Sequence, residues 1–139
     1  MNSKIYLIRV IIFFILISTA ANIYAFDIDQ KPKWGNINYV GDDDLGHLLD
    51  IYLPSQGAGP FPIVISIAGS AWTDNNNKFW AYKYGEQGED LLKNGFAVVS
   101  MNHRSSYCSN FPAQIHDVKA AVRFIRGNSE RFNLNKKFI

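Results

Sequence analysis

Two kinds of periodicity alternate along this chain. Pro62-Ile-Val-Ile-Ser-Ile67 is a short, nearly continuous apolar run rich in β-branched residues, the pattern of a strand buried on both faces of a parallel sheet. It gives way abruptly to Ala68, Gly69, Ser70 and Ala71 before Trp72. Phe96-Ala-Val-Val-Ser-Met101 repeats the strand pattern. Between the two, Lys78–Leu92 has helical composition, with Thr73-Asp-Asn-Asn-Asn77 as capping side chains and Gly95 as the stop. Gly85 and Gly88 weaken its middle and suggest two short helices. Strand, helix, strand in this order predicts a parallel pair with a right-handed crossover.

Upstream, Trp34–Val40 and His47–Leu53 predict two strands of an antiparallel hairpin at one sheet edge, around the turn Gly41-Asp-Asp-Asp44 and stopped by Pro54. Downstream, Pro112 opens the clearest helix, in which Ile115, Val118, Val122 and Ile125 recur along one face before Gly127 and Asn128 end it. Lys137-Phe-Ile139 reads as the start of one more strand. The fold class is therefore α/β: an antiparallel edge hairpin followed by parallel β-α-β units.

The first 25 residues change the picture of the whole. Met1–Arg9 is a basic lead, Val10–Ile17 a short apolar core, and Ser18–Ala25 a small-residue exit, the form of a secretory signal peptide with cleavage expected after Ala25. Its apolar core is shorter than a bilayer span, so membrane contact is expected only through this segment if it stays uncleaved. The chain has 14 basic and 12 acidic side chains, and Lys4 and Arg9 in this segment account for the excess. Residues 26–139 are thus balanced in charge and offer no electrostatic case for nucleic acid. Cys108 is the only cysteine, so no intrachain disulfide is possible and an idle or buried thiol is expected.

Isolated candidates for chemistry are few. Asp42, Asp43 and Asp44 lack the spaced further ligands of a calcium loop and read as a solvated turn, so no metal is expected. His47 has no partner at ligand spacing and reads as a packing or surface residue. His116 directly precedes Asp117, which puts the two on different helical faces and argues against a catalytic pair. The small-residue turn after Ile67 is the better candidate, because backbone N–H groups in such a turn can hold an oxyanion without charged side chains.

That turn resembles the His-Gly-Gly-Gly-Trp oxyanion loop of α/β-hydrolase esterases, in the hormone-sensitive-lipase-like and secreted acetyl-xylan or feruloyl esterase-like groups. Tyr52-Leu-Pro54, Gly95-Phe-Ala-Val-Val-Ser-Met-Asn-His-Arg104 and Phe111–Arg126 are similar to the same family, in the family's order. The resemblance implies that residues 26–139 are the N-terminal portion of an α/β-hydrolase domain, truncated before the nucleophile strand. It implies oxyanion-hole backbone donors at Ser70 and Ala71, with Gly69 shaping the loop, and substrate-pocket candidates at Trp72 and Trp80. Arg104, in the family's Asn/Asp-Tyr-Arg position, is expected to be structural and to pair with Asp117. No cofactor is implied.

The family's nucleophile elbow, Gly-x-Ser-x-Gly, occurs nowhere in the sequence. Its motif histidine is replaced by Ala68 and two of its glycines by Ser70 and Ala71, which have less backbone freedom than glycine. The expected function is that of the N-terminal part of an exported serine carboxylic-ester hydrolase acting on acetylated or feruloylated carbohydrate or another small ester. By itself the chain is expected to be inactive, with a C-terminal half or partner chain completing the site. The alternative is a non-catalytic exported module that binds carbohydrate or protein through Trp72, Phe79, Trp80, Tyr82 and Tyr84.

Overall fold

The structure, a computed structural model, describes residues 31–83 and 87–139. The signal-peptide expectation for residues 1–25 and the positions of Tyr84 and Gly85 lie outside the described residues.

Alternation in the apolar runs sets the layers. Strands β1 (Trp34–Asn38), β2 (Leu48–Tyr52), β3 (Ile63–Ile67) and β4 (Ala97–Met101) form one sheet in the order β1-β2-β4-β3. β1 and β2 are the antiparallel hairpin at the edge, β3 and β4 the parallel pair, and β4 sits between β2 and β3, antiparallel to β2. Every residue of β4 is buried, as expected of a strand covered on both faces. Ala97, Val99 and Met101 join Leu49, Ile51 and Ile63 under Ala121, Ile125, Phe132 and Leu134, whereas Val98 joins Tyr52, Tyr82 and Leu92. Successive side chains of one strand thus serve two cores.

The predicted helix between the parallel strands is indeed two: α1 (Lys78–Lys83) and α2 (Gln87–Lys93). Gly88 does more than weaken a helix. A Cβ there would lie 2.8 Å from the Tyr82 carbonyl oxygen and 3.0 Å from its ring, so glycine is what lets α2 approach α1. Gly95 ends α2 with φ of 83°, a left-handed conformation that suits glycine.

The serines inside the two apolar runs also have a purpose. Ser66 and Ser100 are paired across the parallel strands; Ser66 Oγ donates to the Ala81 carbonyl at 2.6 Å, and Ser100 Oγ donates to that of Lys78. The sheet thereby grips both turns of α1. Ser100→Ala is expected to cost about 1 kcal/mol in denaturant unfolding, the typical worth of one such bond.

Helix α3 (Ala113–Gly127) starts just after Pro112, but its buried stripe differs from the expected one. Gln114, Asp117, Ala121 and Ile125 face inward, while Ile115 is 37% exposed. The reason is polar: Gln114 Nε2 donates to the Ser109 carbonyl at 2.8 Å, and Asp117 receives Arg104, which together turn the first half of the helix.

Beyond α3, Leu134 makes a parallel bridge with Phe61, and Ile63 N–H donates to the Phe138 carbonyl at 2.9 Å. The expected strand at Lys137–Ile139 is not a regular one, because Asn135 first closes a turn, accepting Phe138 N–H on its carbonyl and Lys137 N–H on its side chain. The segment nevertheless runs along the outer edge of β3.

Candidate active site

At the C-terminal end of β3, Ala68–Trp72 makes the turn foreseen from its small residues. Ser70 closes it: its carbonyl accepts Thr73 N–H at 3.0 Å and Thr73 Oγ1 at 2.6 Å. Ala71 and Trp72 take left-handed conformations, with φ of 49° and 64°. Glycine is most at ease there, and each such non-glycine residue costs roughly 1–2 kcal/mol. Ser70 is not among the positive-φ residues, so of the two glycine replacements only Ala71 meets a conformational cost. Among the described residues, the N–H groups of Ser70 and Ala71 donate to no protein acceptor, which leaves two donors at the end of the edge strand β3. Ala71→Gly is expected to leave the unfolding free energy unchanged or raise it by up to about 1 kcal/mol, where the same change at buried Ala121 within α3 lowers it by about 1 kcal/mol or more. Equal losses at the two sites would contradict the strained loop geometry.

The segment after Arg104 holds this loop, and a polar network beside it fixes the start of α1. Asn102, 1% exposed at the end of β4, accepts Lys78 N–H on Oδ1 at 2.7 Å and donates Nδ2 to the Leu45 carbonyl at 2.8 Å. Lys78 Nζ, at the start of α1, lies 2.7 Å from Asp50 Oδ2 in a pair whose side chains are only 12% and 7% exposed. Asp50 Oδ1 in turn accepts Asn36 N–H at 2.7 Å, where the β1–β2 register shifts. Ser105 Oγ donates to the Thr73 carbonyl at 2.5 Å, and Ser106 N–H donates to the Trp72 carbonyl at 2.7 Å. The Trp72 ring lies against the His103 ring, centroids 4.9 Å apart.

Behind the loop is a buried charge cluster. Arg104 donates from Nη2 to Asp117 Oδ1 at 2.6 Å, from Nε to both carboxylate oxygens, and from its backbone N–H to Oδ2 at 2.9 Å. His47 was foreseen as an isolated packing or surface residue; it is buried, with Nε2 3.3 Å from Asp117 Oδ1 and Nδ1 2.7 Å from Asp42 Oδ2. The aspartate turn is correspondingly more than solvated surface. Asp44 accepts Gly46 N–H at 2.8 Å, and Asp42 accepts from Asn38 and its own turn as well as facing His47. Partial desolvation works to raise the Asp42 carboxyl, but hydrogen bonds from Asn38, the Asp44 N–H and His47 outweigh it and hold it below the usual range. Tyr39, whose hydroxyl reaches the Gly46 and Asn102 carbonyls, is pushed up by burial and then by Asp117.

A depressed Asp42 contributes stability that is present above its unfolded pKa and is lost as pH falls through the folded one. Asp42→Asn is therefore expected to destabilise at neutral pH and to differ little from the parent near about pH 2, as read by denaturant unfolding. A difference that persists unchanged in acid would contradict the sign.

Tyr82 is buried and stacked on Tyr52 at 3.8 Å, Phe79 and Trp80 meet edge to face at 5.1 Å, and Trp72 sits over His103. Trp80 lines a cleft of about 470 Å3 with Ser66–Gly69, Asn77 and Ala81; Trp72 is not among its lining residues. His116 is exposed on α3, and Cys108 is exposed on the loop before it. Among the described residues no group of three or more His, Cys, Asp or Glu side chains is arranged to hold a metal ion.

A mixed sheet with β4 between an antiparallel β2 and a parallel β3, flanked by helices, is part of an α/β-hydrolase fold. The BD-FAE family model matches residues 49–139, and the chain belongs to that family. Among solved structures it is similar to a bifunctional GH43-CE protein of Bacteroides eggerthii, at 51% identity and a TM-score of 0.73 over 76% of this chain and 15% of that one. A truncated form of a carbohydrate esterase from gut microbiota is 48% identical, with a TM-score of 0.71 over 76% of this chain and 36% of that one. Among curated proteins, esterase LipQ of Mycobacterium tuberculosis is 34% identical over 67% of this chain and 22% of its own length. The chain thus spans about a quarter or less of the curated esterases LipC, LipQ and LipM that it matches.

Proposed function

We propose that this chain supplies the oxyanion-loop part of an exported serine carboxylic-ester hydrolase whose substrates are acylated carbohydrates or other small esters. The observation that carries the reading is the pair of N–H groups at Ser70 and Ala71 that, among the described residues, have no protein acceptor, in a turn held at the end of β3. Such donors stabilise the tetrahedral oxyanion formed when a nucleophile attacks an ester carbonyl, each worth about 3 kcal/mol in a complete site. Gly69 shapes the turn, and the cleft walled by Trp80 beside it is the proposed place for part of the substrate. The carbohydrate-esterase description of a structure 48% identical to this chain supports the substrate class. Export rests on the signal-like form of residues 1–25.

Turnover further needs a nucleophile and a base, and the sequence holds no Gly-x-Ser-x-Gly elbow. We therefore place those groups on a C-terminal half, whether continuous with this chain or supplied as a partner, that adds to the sheet along the outer edge of β3 where Phe138 already lies. The test is hydrolysis of p-nitrophenyl acetate and of acetylated xylo-oligosaccharide by residues 26–139, alone and with the polypeptide encoded beyond codon 139. Release of acetate only in the second case is expected. Turnover by residues 26–139 alone would sink the division of labour, and none in either case would sink the esterase reading.

We favour this reading over the aromatic binding module because, among the described residues, Trp72 is set against His103 and Tyr82 is buried against Tyr52.

A further inference from the structure

Ala71 and Trp72 hold two consecutive left-handed conformations without glycine, so something outside the turn must keep them there. The bonds made by Ser70 lie within the turn and fix its chord. Among the described residues, the two bonds that reach it from elsewhere come from the segment after Arg104. Ser106 N–H takes the Trp72 carbonyl at 2.7 Å, and Ser105 Oγ takes the Thr73 carbonyl at 2.5 Å. Ser105 is 6% exposed, and its oxygen also accepts Tyr107 N–H at 3.1 Å, which leaves its proton directed to Thr73. The segment itself cannot drift, because Arg104 is tied through backbone and guanidinium to Asp117.

We infer that Ser105 is the positioning residue of the oxyanion loop: its hydroxyl, anchored through Arg104 and Asp117, holds the left-handed turn that presents the Ser70 and Ala71 N–H groups. This rests on the reading of Gly69–Trp72 as an oxyanion loop, but its test does not involve ester hydrolysis, so the two can fail separately. Ser105 touches no reacting atom. Its part is to make a strained backbone the favoured one, and the strain and the hydroxyl are therefore energetically coupled.

The experiment is amide hydrogen exchange on the full chain and on Ser105→Ala, Ala71→Gly and the double variant, read at Thr73 and Ser106, whose N–H groups are engaged in the loop, and at Val98–Met101 of β4 as the control for the global fold. Ser105→Ala is expected to speed exchange at Thr73 and Ser106 by about tenfold with β4 unchanged. In the Ala71→Gly background, where one left-handed residue no longer resists, the same change should be worth only about threefold. Ser105→Cys, close in size with a weaker donor, replaces Ser105→Ala should that variant fail to fold. Equal effects in both backgrounds, unchanged exchange at Thr73 and Ser106, or acceleration of loop and β4 alike would overturn the proposal.

Discussion

Lys78→Met is expected to lower the unfolding free energy by about 3–5 kcal/mol, the usual result of stripping one partner from a buried ion pair. The pair with Asp50 spans two layers: Asp50 stands on β2 in the sheet, Lys78 opens α1, and both side chains are nearly out of solvent. Methionine replaces the apolar stem of lysine almost without loss, so the effect reports on the stranded carboxylate. Asp50 would keep only the Asn36 N–H. Against a typical domain stability of about 5–15 kcal/mol this is a large fraction, readable as a shift in the guanidinium midpoint. The double change Asp50→Asn with Lys78→Met removes the charge as well and should recover much of the loss. A single-variant cost below about 1 kcal/mol would mean that the pair is wetter than its burial implies.

Arg104→Ala is expected to cost a further amount of the same size, about 3–5 kcal/mol, for the same reason. Asp117 is 3% exposed and takes three hydrogen bonds from the Arg104 side chain, so the alanine leaves a buried carboxylate with His47 and one backbone N–H. Arg104→Lys should recover only part, since an ammonium cannot reproduce the two-nitrogen grip of Nε and Nη2. An unchanged melting temperature in Arg104→Ala would count against the pairing as a stabilising element. Because Ser105 and Ser106 hang from the same segment, this variant should also loosen the loop at Trp72 and Thr73, unlike Lys78→Met acting from the far end.

Much of the arrangement could be read from short-range pattern. Pro62–Ile67 and Phe96–Met101 announced the parallel pair, but the burial expected of both holds only for β4. β3, at the edge of the sheet, is buried at Ile63, half-buried from Val64 to Ser66 and exposed at Ile67, because among the described residues no strand covers its outer side. Gly85 and Gly88 announced the break between α1 and α2, although the close approach to Tyr82 that makes Gly88 necessary depends on packing. The face of α3 was misjudged for an instructive reason. Hydrophobic spacing favoured Ile115, yet Gln114 and Asp117 are buried in its place because Ser109 and Arg104, near in space, satisfy them. A polar residue reads as exposed until its partner is known.

The same limit applied to His47 and the aspartate turn. Nothing in the spacing of His47 pointed to Asp117, which lies 70 residues away, and only the folding of β2 beside β4 brings the turn before β2 under α3. The turn after β3 was recognisable from its small residues. Which residue bears the left-handed cost was not, since Ser70 and Ala71 are alike in the sequence while only Ala71 and Trp72 have positive φ.

By itself, then, the sequence determined the elements, their parallel or antiparallel pairing, the small-residue turn and the Arg104–Asp117 expectation, because period, breakers and motif order are local properties of the chain. Only the tertiary structure decided the buried Asp50–Lys78 pair, the place of His47, the setting of Trp72 against His103 and the bond of Ser105 to the turn. Those depend on which polar groups meet after the layers close, and that is a matter of distance in space rather than along the chain.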